Sequence, residues 1–344
     1  MNKNQQIAFL KKMYILLRAG ISLEDCFTSQ AQYGSERIRT SMTTAVQLLQ
    51  QGTALSEIFK NHFKYDPLTY SLITAGEHSG TLKENIFYAS ETLAKQQKLQ
   101  QTIISSLFYP LIIGCMTLVL SGFLLFVIFP KIQPLFRTFK TALPWSTQFL
   151  IYLSTFLVHY GIYILSGSIF CTVLYRFLHK KYAHIKKIQD SIFLKTPSIK
   201  SFIILYQSAR ITRSIGVMLK GGLPLDAAVR LTNTTLFNSQ YKHMLLSVYI
   251  DLHQGKSFSQ SCKRFTHLIP QETYTLLATA EMAGTLPETC IYCAELLDEQ
   301  VESLSKAYSR MLEPLLMIVM GLIVGFVALS MLTPLYSITQ NIKH

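Results

Sequence analysis

Three long stretches without Asp, Glu, Lys or Arg interrupt an otherwise mixed pattern of apolar and polar positions. The first runs from Gln101 to Pro130 around the core LIIGCMTLVLSGFLLFVIF. The second runs from Thr141 to Tyr175, and the third from Pro314 to Ile342 around LLMIVMGLIVGFVALSML. A helix needs about 20 apolar residues to cross a bilayer, so each stretch predicts a transmembrane helix. The second, with its core near Phe149 to Val173, is the wettest, carrying His159, Gly161, Ser166, Gly167 and Ser168.

Between these stretches the apolar positions fall at helical spacing. In IAFLKKMYILLRAG they are Ile7, Leu10, Tyr14 and Leu17, three or four apart. Gly20 then stops the helix and Ser22 opens the next, with Asp25 three residues on. Gly222 with Pro224, and Gly255 with Ser257 and Gln260, read as the same stop and start. Alternating strand patterns are absent, so the polar segments predict helical bundles.

The chain is also written twice. LLRAGISLEDCF (Leu16 to Phe27) aligns with MLKGGLPLDAAV (Met218 to Val229) at an offset of 202. Gly52 aligns with Gly255 at 203; Tyr88, Glu91, Leu93, Pro110 and Pro130 align with Tyr292, Glu295, Leu297, Pro314 and Pro334 at 204. The phrase Glu-x-x-Gly-Thr-Leu occurs at Glu77/Gly80/Thr81/Leu82 and again at Glu281/Gly284/Thr285/Leu286. A fixed period of this kind marks a duplicated structural unit. Each unit reads as a helical domain followed by a span, with the second span as connector.

Gly-Thr-Leu itself predicts a helix corner: glycine ends one helix, and Thr81 with Glu84, or Thr285 with Glu288, forms a capping box for the next. The glutamates are not explained this way. Each lies in the last turn of its helix, where a negative charge opposes the helix dipole by about 0.3–1 kcal/mol. Two readings remain open: a salt bridge to Lys or Arg inside the bundle, or contact with a partner or ion.

Charge orients the spans. Lys95 and Lys98 precede the first, Arg176, Lys180, Lys181, Lys186 and Lys187 follow the second, and Lys306 and Arg310 precede the third. The loop between spans one and two carries only Lys131, Arg137 and Lys140, and the tail only Lys343. The positive-inside rule then places the N-terminus and the long middle segment in the cytoplasm. The expected fold is an all-α membrane protein with two homologous cytoplasmic helical-bundle domains and three transmembrane helices, N-in and C-out. Its parts are a domain over 1–101, spans over 102–130 and 148–175 flanking an outside loop over 131–147, a second domain over 176–310, a third span over 311–334, and a short outside tail over 335–344. The run between Lys3 and Lys11 is too short for a signal-peptide core, so insertion through the chain's own spans is expected. The net charge of +13 is accounted for by topology and anionic lipid; no clustered basic-aromatic surface points to direct nucleic-acid binding.

Candidate chemistry is thin. Gly255-Lys256-Ser257 resembles the end of a phosphate-binding loop, but Ile250 stands where such a loop needs glycine. Cys290 and Cys293 form a Cys-x-x-Cys without a second ligand pair for zinc and on a helix rather than in a redox setting. No disulfide, metal, cofactor or catalytic set is expected. His159 has no ionisable partner in any span core and reads as a hydrogen bond between helices. Gly321 and Gly325 form a Gly-x-x-x-Gly in the third span, suited either to a homodimer or to packing within one chain.

The doubled Leu-x-x-Gly-[Ile/Leu]-x-Leu (Leu17/Gly20/Ile21/Leu23 and Leu219/Gly222/Leu223/Leu225), the doubled Glu-x-x-Gly-Thr-Leu, and the prolines opening spans one and three resemble the type II secretion F / type IV pilus PilC family. The resemblance covers nearly the whole chain. The first repeat begins almost at the N-terminus, which is most like the competence pseudopilus branch (ComGB-type). The resemblance implies a non-enzymatic membrane platform whose cytoplasmic domains dock a hexameric assembly ATPase and whose membrane part feeds pilin-like subunits into a fibre serving DNA uptake. A homo-oligomer, as a dimer, is suggested only by the Gly321/Gly325 motif and not by the resemblance. The positions carried over are Gly20, Leu23, Glu77, Gly80 and Pro110, with Gly222, Leu225, Glu281, Gly284 and Pro314; of these Glu77, Gly80, Glu281 and Gly284 are the candidates for partner contact, and Pro110 and Pro314, with Gly321 and Gly325, for helix packing. The rival reading is a transporter or permease subunit, which would need a polar path through the spans.

Overall fold

A computed structural model of the chain describes residues 2–33, 36–128, 196–236 and 238–341, with isolated positions between 131 and 170. The described residues are helical and fall into two matched sets of six. The first set is α1 (Lys3–Arg18), α2 (Leu23–Tyr33), α3 (Glu36–Gln50), α4 (Leu55–His62), α5 (Pro67–Ser79) and α6 (Leu82–Phe123). The second is α7 (Pro197–Lys220), α8 (Leu225–Thr235), α9 (Ser239–His253), α10 (Phe258–Cys262), α11 (Gln271–Ala283) and α12 (Leu286–Asn341). A π-helical segment, Leu124–Ile128, follows α6.

The chain forms two compact units. One comprises Met1–Thr102 and Lys186–Leu304, so it contains the helical domains of both repeats; the other comprises Ile103–Ile185 and Ser305–His344. Two described helices, α6 and α12 (within Leu286–Ser330), are long and apolar enough to cross a membrane. Most of the second predicted span lies outside the described residues.

The corners follow the sequence closely. Gly20 and Gly222, Gly52 and Gly255, and Gly80 and Gly284 all have left-handed backbone angles. At Gly80 and Gly284, φ is 70° and 73°, a conformation in which a side chain costs about 1 kcal/mol or more. At Ser22, the hydroxyl accepts the Asp25 N–H at 3.1 Å and donates to its carboxylate at 2.6 Å. At Ser257, the hydroxyl accepts the Gln260 N–H at 3.2 Å. Thr81 differs in detail from the expected capping box: its hydroxyl accepts the Asn85 side-chain amide at 2.9 Å and lies 2.6 Å from the Ser79 hydroxyl. Pro224 is the N-cap of α8 rather than a residue of its first turn.

Two cores result. In the first repeat Phe9, Phe27, Phe59 and Phe63 are buried against one another, with Phe9–Phe27 centroids 5.5 Å apart and Phe59–Phe63 centroids 5.3 Å apart. In the second repeat the positions of Phe9, Phe27 and Phe59 are taken by Ile211, Val229 and Cys262. A small apolar cavity of about 20 Å³ lies there, lined by Ile211, Cys262, Cys290 and their neighbours.

The prolines do not interrupt their helices. Pro110 lies inside α6, and Pro314 lies inside α12. The last helix of each bundle and the apolar segment after it are therefore one continuous element. In water an internal proline costs about 3 kcal/mol, but apolar membrane helices tolerate it.

Candidate partner interface at the doubled glutamate corner

Each glutamate sits at the C-terminal end of one helix and faces the N-terminal end of another. Glu77, in the last turn of α5, accepts the N–H of Leu55 at 2.5 Å and that of Ser56 at 3.0 Å. These are the first two residues of α4, whose N-cap position is Ala54, a residue with no side-chain group to offer. Glu281, in the last turn of α11, accepts the N–H of Phe258 at 2.5 Å and that of Ser259 at 2.8 Å. These are the first two residues of α10.

The first turn of a helix leaves its N–H groups without intrahelical partners, and its positive end favours an anion. The carboxylate thus supplies, from 22 residues away in the first case, the cap that Ala54 cannot. The conflict between Glu77 and the dipole of its own helix is offset by the dipole of α4. Burial alone would raise the Glu77 carboxyl. The Ser56 side chain and backbone, then the Leu55 N–H and the nearby His78, outweigh that and hold it below its ordinary value. The partners found are backbone amides, with the Ser56 side chain at Glu77, and not the Lys or Arg side chain expected of a salt bridge.

Around the carboxylates the corners are open. His78, Ser79 and Gly80 are exposed, as are Met282, Ala283, Gly284 and Thr285. Glu77 and Glu281 are themselves half-buried. The structure therefore brings together Glu77 with Gly80 and Glu281 with Gly284, one corner per repeat. Pro110 and Pro314 belong to the other, apolar unit. There Tyr109 donates to the Glu313 carboxylate at 3.1 Å, joining the residues just before the two prolines. Gly321 and Gly325 have no described neighbour within 4 Å of where a Cβ would stand. His159 Nδ1 lies 3.0 Å from the Thr155 carbonyl oxygen, one turn back along the same stretch rather than on another helix.

The remaining motifs have structural work. Gly255-Lys256-Ser257 is the corner between α9 and α10: Gly255 turns the chain, Lys256 reaches the Asp251 carboxylate at 2.8 Å, and Ser257 caps α10. Lys256, then Arg264, which also pairs with Asp251, holds the Asp251 carboxyl below its ordinary value. Cys290 and Cys293 are buried, and burial pushes both thiols upward, away from the thiolate a redox or metal role requires. Among the described residues no group of three metal-ligating side chains forms.

What the sequence did not reveal is a buried bond between the repeats. The Asn85 side-chain amide donates to the Gly221 carbonyl at 3.2 Å. A Cβ at Gly221 would fall 2.2 Å from Asn85 Oδ1, so the contact requires glycine there. The signal was present as a mismatch between copies: Gly221 corresponds to Ala19, and Asn85 to Thr289.

Comparison with known families decides what this architecture is. The family described as type II secretion system protein F matches the chain twice, over residues 9–130 and 211–334. The chain belongs to that family. Its two matches begin 202 and end 204 residues apart, as the internal repeat does. Among curated relatives, it is 24% identical to the type IV pilus assembly protein TapC of Aeromonas hydrophila over 95% of this chain and 80% of that one. It is 24% identical to the type IV pilus assembly protein PilC of Pseudomonas aeruginosa over 96% of this chain and 88% of that one. It is 26% identical to the type II secretion system protein F of Vibrio cholerae over 94% and 80%.

Proposed function

We propose that this protein is the membrane platform of a type IV pilus or type II secretion-like machine, coupling a hexameric cytoplasmic assembly ATPase to polymerisation of pilin-like subunits, in the competence branch that serves DNA uptake. The observation that carries this reading is the doubled unit: a helical bundle whose last helix continues as an apolar helix, matched by the family in both copies. Such a unit can pass a displacement from a cytoplasmic partner toward the bilayer without a break in the backbone. In this reading the chain is non-enzymatic and multi-pass in the cytoplasmic membrane, N-in and C-out, with both bundles and the corners at Gly80 and Gly284 facing the cytoplasm. Glu77 and Glu281 contribute by holding α4 and α10 at those corners, so that partners meet a fixed surface.

Deletion of the gene tests the platform reading. The expected result is loss of surface fibres and of DNA uptake while pilin and ATPase remain at normal levels, with recovery on complementation. Fibres in the deletion strain would overturn it.

A further inference from the structure

The two repeats touch through different surfaces. At the corners the first repeat offers α5 and the start of α6, and the second offers the end of α7, the Gly221–Gly222 turn and α8; farther along, Lys95 of α6 pairs with Glu295 of α12. Thr74, Ala75 and His78 face Pro224, Ala227 and Leu231 across one cleft. Asn85 closes it on Gly221. Because the repeats are copies, each also carries the corner surface that its sister uses, and among the described residues those two surfaces are exposed.

Matched positions show this directly. Leu72, in the used surface, is fully buried; its counterpart Leu276 is 38% exposed. Ser71 is buried while Thr275 is exposed, and the half-buried Ala75 corresponds to the exposed Thr279. Met282, beside them, is 90% exposed. On the other side Val217 is buried whereas its counterpart Ile15 is 62% exposed, and Ile21, matching the half-buried Leu223, is 37% exposed. Helix α7 is buried at every position from Ile211 to Met218, but the matching stretch of α1 is buried on one side only.

An interface whose two sides differ does not close on itself within one pair; it propagates or forms a ring. We infer that a second copy of this chain docks head to tail, its Ile15–Ile21 corner against the α11–α12 corner of the first, repeating the contact already made between the repeats. The occupant is named by the chain itself, since the complement of the exposed α11 surface is the first repeat's own α1–α2 corner. The critical steric pair agrees. Inside the chain a large Asn85 meets Gly221; at the free surfaces the smaller Thr289 would meet Ala19, so the added methyl on one side is matched by a smaller side chain on the other. The exposed Leu276, Met282, Ile15 and Ile21 supply apolar area for burial. This inference rests on the repeat contact and not on the platform reading.

Cysteine cross-linking of the full chain in membranes tests it, with Cys115 and Cys171 replaced by serine. Thr279→Cys and Thr28→Cys are placed at exposed positions matching Ala75 and Arg230, two residues of the internal cleft. A chain carrying Ala75→Cys and Arg230→Cys is the control and should cross-link within itself. Co-expression of the Thr28→Cys and Thr279→Cys chains, differently tagged, should give a mixed dimer with a short bismaleimide. Neither chain alone should dimerise, and adding Met282→Arg to the Thr279→Cys chain should abolish the mixed dimer. Cross-linking of either chain with itself, beyond that of the parent chain that keeps only the buried Cys26, Cys262, Cys290 and Cys293, would show a symmetric contact and overturn the proposal. Absence of the mixed dimer, with the internal control positive, would overturn it as well, and would leave these surfaces to a partner of another kind.

Discussion

The two repeats solve the same folding problem with different materials. In the first, a cluster of phenylalanines fills the bundle and a distant glutamate is the side-chain cap of α4. In the second, aliphatic residues and thiols leave a small void, while α10 has a cap of its own in Ser257 besides the glutamate. The first repeat has concentrated its stability in a few residues; the second has spread it. The difference shows that a duplicated corner need not carry equal weight in both copies.

The comparison breaks most sharply in the cores. Phe59→Ala should destabilise the first repeat by about 3–5 kcal/mol. Cys262→Ala, at the matching position beside an existing void, should cost the second only about 1 kcal/mol. Hydrogen exchange on the full chain in detergent, followed separately for each repeat, reads both; similar losses would mean that the aromatic cluster does not hold the first bundle. Next come the glutamates. Glu77→Ala leaves the first amides of α4 without a partner and should cost about 1–2 kcal/mol, seen as faster exchange over Leu55–Phe59. Glu281→Ala should cost roughly half that, because Ser257 still holds α10; in a Ser257→Ala background the full penalty should return. An equal penalty for the two single variants would remove the asymmetry.

The smallest expected effect is that of pH. The folded state lowers the Glu77 carboxyl from its ordinary 4.5, so its contribution is complete above that value and disappears as the pH falls through the lowered one. Exchange at the start of α4 should therefore accelerate only on acidification below about 4.5, where a Glu77→Gln variant should respond less. An unchanged acid response in that variant would assign the effect to other carboxylates.

Much of this was legible in the sequence. The glycine corners, the period of the duplication and the helical character of each segment follow from residues whose conformational preferences are strong and local. The glutamates were visible as an anomaly but not as an answer. Their partners are mainly backbone amides, which carry no side-chain signature, with the Ser56 side chain added at Glu77, and the pairing joins helices separated along the chain. A trace existed in Ala54, a poor N-cap at the start of a helix. At Pro110 and Pro314 the sequence marks where each apolar span opens, but it does not show that the helix runs through both prolines unbroken. The Asn85–Gly221 contact between repeats was hidden because it depends on what glycine lacks at position 221.

The three glycine corners have a consequence for how the domain tolerates change. Gly20 and Gly52 are 32 positions apart in the first copy, and Gly222 and Gly255 are 33 apart in the second; the next interval is 28 and then 29. Each interval has gained or lost one residue, yet every corner has kept its left-handed turn. Length is absorbed between the corners and not at them. The corners are thus natural seams for chimeras: a leaf between two glycines could be exchanged between the copies, or with a relative, while a seam placed inside a helix would shift the face that the helix presents.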